Sequence, residues 1–322
     1  MTARHLISLD DLTDDELRYL AARGASFSAG LAPQERPLDG AVIGVYFRKT
    51  STRTRTAFSA GAQRLGGQIV AFGPDDLQLN TGETTEDTGQ VFSRMLDVLV
   101  ARTAGDPEEL RGWAGQDRMA VVNAMSADEH PTQALTDLTT LLRQFGRIDG
   151  LRVLYVGEGN NTAAALALAL SRFPGTYLEL RTPAGYGLTE DVLARVAASC
   201  ARSGAEVVEL HHMDGQSAGF DAIYTSRWQT TGTSKPDPDW RAAFDPFKVT
   251  PVLWLHSPHA VFMHDLPAHR GEEVDAEVLD GVHSIAFDQA ANKMYSAMAV
   301  LEWCRTGVAV SDEATAGQAV AG

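Results

Sequence analysis

The sequence predicts an α/β protein built from two doubly wound parallel-sheet domains. Three observations lead there. Short apolar strands alternate with helical stretches along nearly the whole chain. The 322 residues suffice for two domains of typical size. A polar, glycine-bearing connection, Phe145-Gly146-Arg147-Ile148-Asp149-Gly150, interrupts the alternation near the middle. Parallel sheets of this kind bind ligands beyond the carboxyl ends of their strands, so the residues that follow each strand are the ones to inspect.

The elements follow in order. Asp10-Asp11-Leu12-Thr13-Asp14-Asp15-Glu16-Leu17 reads as a helix start with acidic first-turn residues. Ala41 to Phe47 is an apolar strand, and Ala57 to Leu65 is apolar-periodic and helical. Val98–Arg102 and Ala120–Ala124 are further strands, with a helix starting near Glu86 before the first of them. Past the connection, Leu151–Gly157 opens a second series, with strands near 177–181, 206–210, 221–225, 260–264 and 284–287. Ala163 to Leu170 reads as a buried helix, and a last helix runs from about 289 to 305. The expected domains are 1–147 and 148–288, with helix 289–306 returning to the first. The alanine- and glycine-rich tail, 307–322, is expected to be disordered.

Composition narrows the function. A net charge of −15 and a pI near 5.0 argue against nucleic acid or an anionic membrane as partner. No apolar run approaches a membrane span. Cys200 and Cys304 are too few for a disulfide framework, and the N-terminal residues lack a signal-peptide apolar segment, so a cytoplasmic location is expected. An acidic protein that binds an anionic substrate must concentrate positive charge locally. Residues 47–55, Phe-Arg-Lys-Thr-Ser-Thr-Arg-Thr-Arg, do so with Arg48, Lys49, Arg53 and Arg55.

That cluster stands at the start of the helix predicted after the first strand. Unpaired N–H groups and the positive dipole end are available there for a phosphate. Arg53 adds a guanidinium fork, and Ser51, Thr52 and Thr54 add hydroxyl donors. Alone, such a motif is equally a capped helix with solvated arginines. About eighty residues later comes His130-Pro131-Thr132-Gln133. Ser-Thr-Arg-Thr-Arg followed by His-Pro-Thr-Gln resembles the aspartate/ornithine carbamoyltransferase family, and the resemblance continues to about residue 306.

The resemblance implies two domains joined by interdomain helices, a trimeric assembly and no metal or other cofactor. It implies that Ser51, Thr52, Arg53, Thr54, Arg102, His130 and Gln133 bind carbamoyl phosphate, together with Leu266 and Lys293. Arg102 matches an arginine that contacts both phosphate and carbonyl oxygen, while His130 and Gln133 match the pair on the carbonyl oxygen and amide. Arg55 matches an arginine that shapes the site. An amine attacks the carbonyl carbon, charge builds on its oxygen, and phosphate leaves. Each placed donor on such an oxyanion contributes roughly 3–4 kcal/mol. The loop Leu77 to Thr84 matches a loop that carries a catalytic lysine in the aspartate branch, but Asn80 and Thr81 occupy that stretch here.

The second half departs from its relatives. Gly157-Glu158-Gly159-Asn160-Asn161 resembles the ornithine branch's Gly-Asp-Gly-Asn-Asn turn, which makes Asn161 a candidate ligand; the plain alternative is a helix cap. A dinucleotide fingerprint fits poorly, because the three-glycine spacing is missing. His264-Asp265-Leu266-Pro267-Ala268-His269-Arg270-Gly271-Glu272-Glu273 resembles the ornithine branch's His-Cys-Leu-Pro motif, with Asp265 in place of cysteine. The family's Leu-Pro bond is cis and would aim the Leu266 carbonyl at the amine. Ser226 stands where the ornithine branch has the aspartate that holds the α-ammonium, and Arg227-Trp228-Gln229 resembles a carboxylate-binding Arg-x-Gln of the aspartate branch. Thr230 and Thr231 replace a Ser-Met pair, and Lys293 stands for an arginine, keeping the charge without the fork.

The expectation is therefore a carbamoyltransferase acting on a small amino acid or diamine. Asn161, Ser226, Arg227, Gln229, Asp265 and Leu266 would face the amine substrate, with Asp265 as charge partner or base. Arg53, Arg102, His130, Gln133 and Asp265 would carry catalysis. A diamino acid other than ornithine is the first acceptor expected and ornithine the alternative. A non-catalytic binding paralogue is the rival of another class.

Overall fold

Two all-parallel sheets of four and five strands carry the chain, the product of apolar strand runs separated by helices. The computed structural model describes residues 3–31, 36–215, 217–230 and 232–307. One unit takes the residues up to Gly146 and those from Ala291; the other is Arg147–Ala290.

In the first unit a single 3₁₀ turn, Leu9–Asp11, precedes the expected helix start, whose acidic first turn is Asp14, Asp15 and Glu16. Helix α1 (Asp14–Ser28) follows, opened by a capping box between Thr13 and Glu16. Then come β1 (Val42–Phe47), α2 (Arg53–Arg64), β2 (Gln68–Phe72), α3 (Thr85–Phe92), β3 (Val98–Arg102), α4 (Glu108–Ala114), β4 (Ala120–Asn123) and α5 (Pro131–Phe145). The strand order is β2-β1-β3-β4. The chain leaves β1 toward one edge and returns on its other side as β3, so the topological switch point lies between β1 and β3. Phe47 pairs with Arg102 in register there, which brings the loop before α2 beside Arg102. Strand β2 was not anticipated; it is a short edge strand, and Gln68, Val70 and Ala71 are exposed.

The second unit contains β5 (Arg152–Val156), α6 (Asn161–Leu170), β6 (Tyr177–Arg181), α7 (Glu190–Ser203), β7 (Glu206–Leu210), β8 (Ala222–Thr225), α8 (Trp240–Phe244), β9 (Val261–His264), α9 (Ala276–Leu279) and the start of α10 (Ala286–Thr306). Its order, β7-β6-β5-β8-β9, puts the switch point between β5 and β8. The turn after β5 and the loop after β8 therefore emerge side by side. Every residue of α6 is buried, as the apolar run Ala163–Leu170 requires, with the polar Asn161 and Thr162 confined to its first turn. The strand expected at 284–287 is absent among the described residues. Ser284 makes one isolated bridge to Phe262, and Ala286 already begins α10, because the apolar run is too short to extend the sheet.

Residues of α10 from 291 onward lie against α1 and α5. Arg23 pairs with Glu302 at 2.6 Å, Asn292 donates to Thr140 and accepts from Ser28, and Ser296 meets Thr136 at 2.9 Å. Gly24 permits this approach, since a Cβ there would sit 2.5 Å from Thr139 Oγ1 and 3.3 Å from Ser296 Cα. The tail expected to be disordered lies, from residue 308, outside the described residues. Among the described residues no helix is long and apolar enough to cross a membrane.

Candidate active site

The first unit gathers its polar residues at the β1/β3 switch point. Helix α2 begins at Arg53, with Thr52 at its N-cap. Thr52 makes no side-chain capping bond among the described residues, and the first turn carries no acid. Helices α1, α3, α6 and α7, by contrast, are each capped by a Thr or Asn side chain. The start of α2 thus keeps its N–H groups and dipole end uncompensated by a side-chain cap or acid, as anion binding demands. Ser51 and Arg53 are half-buried there, Thr52 is exposed and Thr54 is buried. Arg55 turns back: its guanidinium lies 5.2 Å from the Phe47 ring centroid and donates to the Phe47 carbonyl, so it braces the loop. Arg48 is taken up by Glu109 through both terminal nitrogens, and its positive charge is neutralised locally.

Arg102 closes β3, buried, and its backbone carbonyl accepts from the Arg48 N–H at 3.0 Å. His130 occupies the N-cap of α5, again without a side-chain capping bond among the described residues and without first-turn acids. Its Nδ1 lies 3.3 Å from the Thr132 hydroxyl. Burial, then the positive charges of Lys293 and Arg102, hold the imidazole pKa well below its ordinary value, so His130 is neutral at neutral pH. Gln133, in the first turn of α5, is held at both ends of its amide: Nε2 donates to Asp137 at 2.8 Å and Oε1 accepts from Lys293 Nζ at 2.5 Å, leaving one lone pair and one N–H over. Arg102, His130, Gln133 and Lys293 are thus brought together.

Several supports escaped the sequence reading. Asn123 ends β4 and holds the following turn by bonds to Ile7, Ser126 and Met125. Glu129 accepts from the Ser8 hydroxyl and the Leu9 N–H, both at 2.7 Å, fixing the residue before His130. Both are polar residues among turn formers, and no local spacing signals them. Three non-glycine residues have positive φ among the described residues: Ala104 (53°), Met125 (141°) and Leu266 (52°). Each lies in the loop that leaves the carboxyl end of a strand: β3, β4 and β9 in turn. Such conformations cost about 1–3 kcal/mol each and persist where surrounding contacts over-determine them.

In the second unit the turn 157–161 and the loop from Ser226 are interlocked. Gly159 is required where it stands: a Cβ would lie 2.3 Å from the Gly187 carbonyl carbon. Asn160, not Asn161, caps α6, its side chain accepting from the N–H groups of Thr162 and Ala163. Asn161 is the first helical residue and is buried. Ser226 is 1% exposed, and its hydroxyl is committed to Tyr155 at 2.6 Å and Asn160 at 3.0 Å. It is therefore held by the turn rather than presented openly. Gln229 spends one Nε2 hydrogen on the Thr233 carbonyl within its own loop, which leaves its second N–H as a donor, and Arg227 is half-buried.

Asp265 follows β9. Its Oδ2 accepts from Thr162 in the first turn of α6 at 3.0 Å. Its Oδ1 is buried and has no hydrogen-bond partner among the described residues. His264 Nδ1 lies 3.5 Å away, but that nitrogen already accepts from the Leu266 N–H at 2.8 Å and cannot also donate. A buried carboxylate oxygen left open in this way calls for a cationic or N–H donor. The Leu266-Pro267 bond is cis. Further along, Glu273 accepts from His264 and from the His269 N–H, and Glu272 faces Arg241 at 3.8 Å. These contacts brace the loop that presents Leu266.

Fold and site together match one family. Residues 4–143 match the model of the aspartate/ornithine carbamoyltransferase carbamoyl-P binding domain, and residues 149–304 that of the Asp/Orn binding domain. The chain belongs to the aspartate/ornithine carbamoyltransferase family and is a carbamoyltransferase. Among its relatives, the ornithine carbamoyltransferase of Symbiobacterium thermophilum is 38% identical over 94% of this chain and 97% of its own length. That of Thermococcus kodakarensis is 36% identical over 96% and 99%. The solved ornithine carbamoyltransferase of Pyrococcus furiosus superposes with a TM-score of 0.88 at 35% identity, covering 96% of this chain and 99% of that one.

Proposed function

We propose that this enzyme transfers the carbamoyl group of carbamoyl phosphate to the side-chain amine of ornithine, releasing phosphate. The names of the relatives support ornithine over the shorter diamino acid that the altered loops first suggest. The observation that carries the reading is the uncapped, acid-free start of α2 beside Arg102. Phosphate docks on its N–H groups, with Ser51, Thr52, Arg53 and Thr54 as added donors.

Neutral His130, with Thr132 donating to Nδ1, keeps its proton on Nε2 and donates to the carbonyl oxygen. Arg102 shares that oxygen and the phosphate. Gln133, polarised by Lys293, accepts from the carbamoyl amide, and Lys293 adds charge on the leaving side. In the second unit Asn161, Arg227 and Gln229 hold the α-carboxylate. The Leu266 carbonyl accepts from the attacking amine, and Asp265 Oδ1 receives a substrate ammonium in place of the absent family aspartate. As the amine attacks, its proton passes to solvent or to Asp265, the carbonyl oxygen takes the electron pair, and collapse expels phosphate.

A second reading, 2,4-diaminobutyrate or 2,3-diaminopropionate as acceptor, is favoured by the commitment of Ser226 to Tyr155 and Asn160. Phosphate release against ornithine, these two, lysine, putrescine and aspartate separates them. Ornithine ranking first supports the proposal, a shorter diamino acid ranking first transfers it to the second reading, and release with none refutes both.

The same reading makes the protein a cytoplasmic homotrimer. Two free cysteines support a reducing compartment. Exposed Val70, Val91 and Met95, on β2 and around the end of α3, support an apolar subunit contact.

A further inference from the structure

Lys235 lies outside every motif quoted above, yet its side chain is only 4% exposed. Its ammonium pairs with Glu158 and lies 5.1 Å from the ring centroids of Tyr186, Trp240 and Phe244. Trp228 completes the cluster, with its ring centroid 5.5 Å from that of Phe244. Glu158 also accepts from the Thr230 hydroxyl at 3.4 Å. An ammonium removed from water is stable only with a countercharge and polarisable partners, and here it has both.

The two ends of the stretch 226–235 are therefore tied to one short turn. Ser226 is held by Tyr155 and Asn160, and Lys235 by Glu158. The turn is itself anchored: Tyr155 donates to the Glu158 carbonyl at 2.7 Å, and the Gly159 N–H donates to the Tyr186 carbonyl at 2.7 Å. Arg227 and Gln229 lie within the tied stretch, and Asn161 adjoins the turn.

We propose that Lys235 is a positioning residue for the acceptor amino acid: by pinning the far end of the 226–235 stretch to Glu158 inside the aromatic cluster, it fixes Arg227 and Gln229 relative to Asn161. The inference rests on the proposed function, since it takes these three as carboxylate ligands. It predicts an effect on one substrate only. The side-chain bonds and ring contacts given above for Lys235 and Glu158 go to Thr230, Tyr186, Trp240, Phe244 and each other, none of them assigned to carbamoyl phosphate.

The test is Lys235→Met, which keeps an unbranched apolar stem among the rings and removes the charge, with Lys235→Arg as the conservative comparison. The expected result is an acceptor KM raised about tenfold or more, equivalent to about 1.4 kcal/mol. The carbamoyl-phosphate KM stays unchanged, Tm falls because Glu158 loses its buried partner, and Lys235→Arg recovers part of both losses. Hydrogen exchange of the 226–239 amides is read on the same proteins without substrate, and should quicken in Lys235→Met while the rest of the chain is unaltered. An acceptor KM within twofold of the parent, or equal losses in both KM values, overturns the proposal. If no amine is turned over at all, the functional reading has failed, and unchanged exchange in Lys235→Met then removes the pinning as well.

Discussion

Replacing Asp265 by asparagine isolates one charge at little structural cost. The asparagine carbonyl can keep the 3.0 Å bond that Thr162 donates, so α6 retains its first-turn contact. The change falls on Oδ1, the buried oxygen without a partner among the described residues, which becomes an N–H donor where the proposed function puts a substrate ammonium. A hydrogen bond to a charged group contributes about 1.5–3 kcal/mol, and at about 1.4 kcal/mol per tenfold this means a loss of about 10- to 150-fold in kcat/KM for the acceptor. Initial rates of ureido-product formation, with one substrate varied and the other saturating, give the number. If Asp265 is only a charge partner, the loss is in acceptor KM and kcat holds. If it also takes the amine's proton, kcat falls too. The carbamoyl-phosphate KM should not move in either case. An acceptor kcat/KM within twofold of the parent would refute the assignment of Oδ1 to substrate.

Other substitutions probe the first unit and the fold. His130→Ala should lower kcat by about 10²–10³ through loss of one oxyanion donor, measured under saturation with both substrates. The same residue makes stability depend on pH. Its pKa is depressed in the folded protein, so the unfolded chain binds the proton first, and stability is lost as pH falls from about 6.5 toward the folded value. Thermal melts across that range should show the decline, and His130→Gln should flatten it. Lys293→Met deprives Gln133 Oε1 of its donor and should raise the carbamoyl-phosphate KM about tenfold or more, leaving the acceptor KM in place. Gly159→Ala forces a Cβ to 2.3 Å from the Gly187 backbone and should destabilise by about 1–3 kcal/mol in denaturant unfolding. Met95→Lys combined with Val91→Lys should shift sedimentation from trimer toward monomer, because both are exposed apolar side chains of the expected contact.

Much of the parallel architecture was legible because strands buried on both faces are plain apolar runs, as in Val98–Arg102 and Arg152–Val156. The edge strand β2 was not, since an exposed strand of mixed residues lacks that contrast. Residues 284–287 misled for the opposite reason: the apolar patch Ile285-Ala286-Phe287 supplies one bridge and a helix start. At the site, Arg53, Arg102, His130 and Gln133 could be singled out because each follows a strand or opens a helix. Their partners could not: the Lys293–Gln133 bond spans 160 residues, and Glu129 reaches Ser8 across 121. Asn160 and Asn161 show a finer limit. Local chemistry allows either to cap α6, and only the fold decides that Asn160 does, leaving Asn161 on the first turn.

The central claim is carbamoyl transfer to ornithine, and one measurement tests it directly. Purified enzyme is given ornithine and carbamoyl phosphate labelled at the carbonyl carbon; phosphate is assayed while mass spectrometry follows the label. The account predicts a labelled ureido derivative of ornithine formed one-for-one with phosphate, absent in the Arg53→Ala protein. Phosphate released without labelled product, or label entering another amine in preference to ornithine, would contradict it.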